Sequence, residues 1–188
     1  ARARAELARL VRHVVFREYP DVCGGDAEAP LQAQCLALLE AFGRRLATLA
    51  ANWLRVGFVQ SNFNSDNCLV GGRTMDYGPF GFVEAYDRHW VMWTGGGRHF
   101  AFMNQPQAAH ANFVSFASAL VPLLDRAGTA KAQAIVDGFR GVAAAAVRET
   151  WRKKLGLAEG RAAAAGALFD GDGGLEELLQ DTGPDWTI

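Results

Sequence analysis

Residues 64–81 read NSDNCLVGGRTMDYGPFG. Three oxygen-bearing side chains, Asp66, Asn67 and Asp76, bracket a Gly71-Gly72 pair set between two short runs. Gly-Gly in that setting predicts a two-residue β-hairpin, because the favoured turns need positive φ, which glycine adopts freely. With the turn there, Val70 faces Arg73, Leu69 faces Thr74, Cys68 faces Met75 and Asn67 faces Asp76. Directly opposed residues have Cα atoms about 4.5–5.5 Å apart. The hairpin would thus bring the Asn67 amide oxygen and the Asp76 carboxylate together. Two such oxygens, completed by water and phosphate oxygens, suit Mg²⁺ or Mn²⁺. Asp66 lies one residue before the amide and points differently, which leaves it to accept a proton. Ordinary turn chemistry also uses Asp-Asn and Asp-Tyr-Gly, and spacing by itself leaves both readings open.

As chemistry, this is the layout of kinase-type phosphotransfer. One Asp takes a hydroxyl proton, an Asn holds metal, and a second Asp, followed by an aromatic and Gly, holds the metal that bridges the phosphates. Two departures stand out. Asn67 follows Asp66 directly, where the usual kinase loop has its Asn five residues on, and Asn64-Ser65 replace the usual His-Arg.

The longer stretch GFVQSNFNSDNCLVGGRTMDYGPFGFVEAYD resembles the signature of the selenoprotein O (SelO) family. The matching residues are Gly57-Phe58, Asn64, Asp66-Asn67, Gly72, Thr74 and the unbroken Asp76-Tyr77-Gly78-Pro79-Phe80-Gly81-Phe82. Downstream, Phe102-Met103-Asn104-Gln105-Pro106 is similar to the family's FxNQP. Upstream HVVFREYPDV, and WRKKLGL, LEELLQ and DWT near the end, also resemble family segments. Gln60-Ser61 replaces the family's His-Gly, and Ser65 its Thr. The resemblance covers nearly the whole chain. It implies a pseudokinase fold and protein adenylyltransferase (AMPylase) activity: AMP passes from ATP, bound in a flipped orientation, to Ser, Thr or Tyr of protein substrates. It implies Asp66 as catalytic base, Asn67 and Asp76 as metal ligands, and Asp76 also as part of the ATP site. Two other readings remain open, a non-catalytic interaction module and a conventional protein kinase; labelled phosphate, α or γ, separates the latter.

The elements that must position these residues are mostly helices. Apolar residues recur at helical spacing in 3–18 and in 31–56 (Leu36, Leu39, Phe42, Leu46, Leu49, Trp53, Leu54), and Gly57 is a stop. Residues 107–125 and 129–155 predict two more helices, and LEELLQ at 175–180 a last one. Residues 20–30 read as loop, 58–63 as an extended connection, 77–106 as loop pinned by aromatics, and the Gly/Ala-rich 156–173 as a flexible connection. The expected fold is mainly α with a small β-hairpin, a protein-kinase-like C-lobe. A kinase-like site also needs an N-lobe Lys on the phosphates. All three lysines lie at 131 or beyond, against sixteen arginines, and only helices and a loop precede Asp66. The expectation is a single C-lobe fragment over 1–188, with the N-lobe absent and no transfer by the fragment alone.

Composition narrows the partners. The 188 residues are 50% hydrophobic and 21% charged with a net charge of −1, which favours neither nucleic acid nor an anionic membrane. No run of about 18 apolar residues suggests a membrane span. The expected partners are ATP and protein substrates. The expected location is intracellular, mitochondrial in a eukaryote and cytoplasmic in a bacterium. Three scattered cysteines predict neither disulfides nor a zinc site. The four histidines lack metal spacing, the tryptophans read as core or loop anchors, and Gly95-Gly96-Gly97 as a surface loop. Arg73 reads as an exposed strand residue, with phosphate binding as the alternative. The Arg-rich start reads as an amphipathic surface helix, with a targeting segment as the alternative.

Overall fold

Why the chain folds as it does is clearest at its longest apolar stripe. In this computed structural model, which describes residues 2–26, 28–75, 78–93, 97–170 and 173–186, that stripe is helix α2, Leu31–Val56. Cys35, Leu38, Leu39, Phe42, Leu46, Ala50, Trp53 and Leu54 are buried along it. Helix α1 (Arg2–Glu18) covers it with Ala8, Val11 and Val15. Helices α3 (Gln105–Leu120) and α4 (Arg126–Lys154) cover the rest with Phe113, Leu120, Val136 and Phe139. The start of α4 is capped by Asp125, whose carboxylate accepts from Gly128 N at 2.7 Å. Its last turn carries Arg152, Lys153 and Lys154, cations that the negative end of the helix dipole favours.

Helix α2 stops at Gly57, whose φ of 74° is left-handed. A Cβ there would lie 2.8 Å from Trp186 Cδ1, so glycine serves both the turn and the packing. The chain then enters strand β1 (Phe58–Gln60), antiparallel to β2 (Phe80–Phe82), with Phe58 opposite Phe82, Val59 opposite Gly81 and Gln60 opposite Phe80. This hairpin brackets residues 61–79.

A second core lies at this end of the molecule. Leu54, Val59, Val83, Tyr86, Phe102, Trp151, Ala165, Phe169 and Trp186 pack together. Two short helices complete it, α5 (Ala162–Asp170) and α6 (Leu175–Thr182). Helix α5 corrects the reading of 156–173 as a flexible connection: Phe169 stacks on Trp151 with centroids 4.3 Å apart, and that burial fixes an Ala-rich segment of high helix propensity. Trp53, Trp151 and Trp186 are buried anchors, as expected, whereas Trp93 is 45% exposed. Gly95 and Gly96 lie outside the described residues. Among the described residues no helix is long and apolar enough to cross a membrane.

Candidate active site

The loop between β1 and β2 holds the predicted chemistry. Ser65–Asn67 form one 3-10 turn, closed by Asn67 N–H donating to Asn64 O at 3.0 Å. Asp66 is exposed at its centre. Asn67 is only 8% exposed, and its Nδ2 donates to Asn62 O at 2.8 Å. Among the described residues nothing donates to Asn67 Oδ1. That bond commits the amide nitrogen, so its oxygen remains as a hard acceptor. Asp76 and Tyr77 lie outside the described residues. Asp66 and Asn67 thus share one 3-10 turn, the first exposed and the second nearly buried.

The hairpin expected at Gly71-Gly72 is not the one that forms. No described residue between 68 and 75 is in a strand. The chain turns instead over Leu69–Gly72, with Gly72 N–H donating to Leu69 O at 2.9 Å and only Gly72 of the pair at positive φ. Side chains from the end of α1 and from α2 hold the carbonyls of this turn. Tyr19 OH donates to Val70 O at 2.7 Å, and Arg45 Nη1 reaches Gly71 O at 3.4 Å. Gly72 lies so close to α2 that a Cβ would sit 2.6 Å from Arg45 Cβ. Trp53 Nε1 donates to Thr74 Oγ1 at 2.8 Å. Arg73 is not in a strand and pairs with the Glu18 carboxylate at 2.9 Å, which lowers the Glu18 pKa.

Burial pushes the Tyr19 phenol up to about 12, with the Arg45 guanidinium, 4.0 Å from the ring centroid, pulling the other way. The same cause pushes the Cys68 thiol up to about 12, which removes it as a nucleophile at neutral pH.

Both ends of the loop are held by buried amides that sequence reasoning missed. Gln60 and Gln105 are fully buried. Gln105 Oε1 accepts from Gln60 N at 3.2 Å, while Gln105 Nε2 donates to Phe100 O at 2.8 Å. Gln60 Nε2 reaches across the loop to Met75 O at 2.9 Å, and among the described residues its own buried Oε1 has no partner. Further on, Asn112 Nδ2 donates to Phe63 O at 2.8 Å. A polar residue at the end of the apolar run Phe58-Val59-Gln60 was the available signal, since buried amides are retained only where they are bonded.

Comparison with known proteins places this loop in a lineage. A family model described as protein adenylyltransferase SelO matches residues 1–187. The chain belongs to the SelO family. Among curated relatives, proteins named protein nucleotidyltransferase YdiU are similar to it throughout. The one from Methylorubrum populi is 37% identical over 97% of this chain and 35% of its own length. The one from Bradyrhizobium sp. strain BTAi1 is 42% identical over 86% of this chain and 33% of its own. The one from Burkholderia multivorans is 39% identical over 95% and 34%. The chain spans about a third of the length of the curated SelO relatives it matches.

Proposed function

We propose that this SelO-family chain is the kinase-like C-lobe of a protein adenylyltransferase, a single unit over 1–188 that carries one half of the transfer site. The observation that carries the reading is the Asp66–Asn67 pair. An exposed carboxylate stands next to an amide whose nitrogen is committed to Asn62 O, leaving its oxygen for a hard cation.

In this reading Asn67 Oδ1 and the Asp76 carboxylate hold Mg²⁺ or Mn²⁺. When bound, the cation spreads the negative charge of the ATP phosphates. Asp66 accepts the proton of a Ser, Thr or Tyr hydroxyl on the acceptor protein. The hydroxyl oxygen then bonds to the α-phosphorus, the bond from that phosphorus to the oxygen bridging it to the β-phosphate breaks, and pyrophosphate leaves. The names of the relatives, nucleotidyltransferases, favour the α- over the γ-phosphorus. The phosphate-binding lysine of such a site belongs to an N-lobe outside these 188 residues, so the chain alone transfers nothing.

The test uses the full-length protein, incubated with Mg²⁺ and ATP labelled at the α or the γ phosphate, beside its Asp76→Ala variant. Protein-bound α label that the variant loses is the expected result. Label from γ alone would make the protein a conventional kinase. No label from either would favour a non-catalytic interaction module.

A further inference from the structure

Between the loop that carries Asp66 and the N-terminal half of α3 lies a cavity of about 480 Å³. Asn64 and Ser65, the two residues before Asp66, form one wall. The floor is apolar, from Phe63, Phe100 and Ala108, all of them buried. Asn112 completes it and is 7% exposed. Its Nδ2 is spent on Phe63 O. Asn112 lines the cavity, and among the described residues nothing donates to its Oδ1. No Asp, Glu, Lys or Arg occurs among the described lining residues, and His99 is their one titratable side chain.

These features select an occupant. A nearly buried amide oxygen without a donor calls for an N–H, and a polypeptide backbone supplies one at almost every residue. The apolar floor takes an aliphatic or small polar side chain. A charged side chain would lose hydration on that floor, and the described lining holds no carboxylate, lysine or arginine to pair with it. Because Asn64 and Ser65 run directly into Asp66, whatever fills the cavity lies next to the group that receives the proton.

We infer that this cavity is the acceptor subsite: it takes an uncharged residue flanking the modified hydroxyl, and Asn112 Oδ1 receives that residue's backbone N–H. The inference rests on the transferase reading above and extends it to the chemistry of the acceptor.

The test measures peptide binding apart from transfer. Fluorescent Ser-containing peptides, identical except for Leu, Asn, Glu or Lys beside the serine, are titrated without nucleotide into the full-length protein. They are also titrated into its Ala111→Trp variant. Ala111 is an exposed lining residue on α3, and a bulky side chain there fills the cavity from outside. The Leu and Asn peptides should bind at least about tenfold more tightly than the Glu and Lys peptides. Ala111→Trp should weaken them by a similar factor while Mg-ATP affinity and thermal stability stay unchanged. Should that variant fold poorly, Ser115→Tyr on the same exposed face carries the same expectation. Equal binding of all peptides, no binding by either protein, or a loss of Mg-ATP affinity in the variant would overturn the subsite. Selective peptide binding without transfer of either label would uphold the subsite and overturn adenylyl transfer. Transfer without selectivity would do the reverse.

Discussion

At the scale of single residues, Asp66 and Asn67 are adjacent in sequence but separable by experiment. Asp66 is exposed and, among the described residues, its side chain makes no hydrogen bond, so on the transferase reading Asp66→Ala in the full-length protein should lower transfer by about 10²–10⁴-fold, the usual worth of a positioned base. Its thermal melt should not move. Asn67→Ala should lower transfer and also destabilise by about 1 kcal/mol, because it releases Asn62 O. A melt that shifts for Asp66→Ala but not for Asn67→Ala would contradict this division of labour. Tyr19 offers a pH test. Burial raises its folded-state pKa to about 12 from the ordinary 10.0, so folding favours the neutral phenol. Its contribution is therefore full below pH 10 and is lost as pH rises towards 12. Tyr19→Phe should cost about 0.5–1.5 kcal/mol at pH 8 through the lost bond to Val70 O. In urea titrations the gap between wild type and variant should shrink at pH 11.

At the scale of elements, the site loop is held from outside itself. Its ends are clamped by β1 against β2 and its middle by the ends of α1 and α2, while α3 grips it through Gln105 and Asn112. Gln105→Leu would leave the Gln60 N–H and the Phe100 carbonyl without the amide that serves both, at about 1–3 kcal/mol for each buried group left unpaired. Gln60→Leu loses one bond to Met75 O but also removes an oxygen that is already unpartnered, so it should destabilise less. Denaturant midpoints should fall in that order, Gln105→Leu below Gln60→Leu, and the reverse order would refute the clamp. Helical spacing made α1 to α4 legible within a few residues. The hairpin was expected but misplaced. Its strands are twenty residues apart, and the closer Gly-Gly pair offered a shorter pairing, whereas in the fold Tyr19 and Arg45 hold that segment as a turn.

At the scale of the whole molecule, two cores meet where α2 ends. Trp186 anchors the second of them: its Nε1 donates to Leu54 O at 2.9 Å, and its ring packs on Tyr86, Phe102 and Trp151. Lys154 Nζ lies 4.2 Å from the Trp186 ring and donates to the backbone carbonyls of Trp186 and Arg55. Beside it, Trp186 N–H donates to Glu84 O and Tyr86 N–H to Pro184 O, which ties the chain after β2 to the segment after α6. Trp186→Ala should cost about 3–5 kcal/mol, as for other buried aromatics. Equilibrium unfolding should show that loss, and near-wild-type stability would mean that the second core does not depend on this residue.

What the sequence determined by itself is local and chemical. Residue types at 66, 67 and 76 raised the expectation of proton transfer and metal binding, since only certain side chains do either, and apolar spacing placed the long helices because burial follows the 3.6-residue repeat. The tertiary structure decided what depends on distant partners. It chose Phe58–Gln60 and Phe80–Phe82 as the paired strands, buried Gln60, Gln105 and Asn112 as the loop's supports, and turned the Gly/Ala-rich segment at 162–170 into a helix by stacking Phe169 on Trp151. A hydrogen bond between residues 45 positions apart, as between Gln60 and Gln105, leaves no periodic trace in either segment, because each amide is specified only by the partner the fold brings to it.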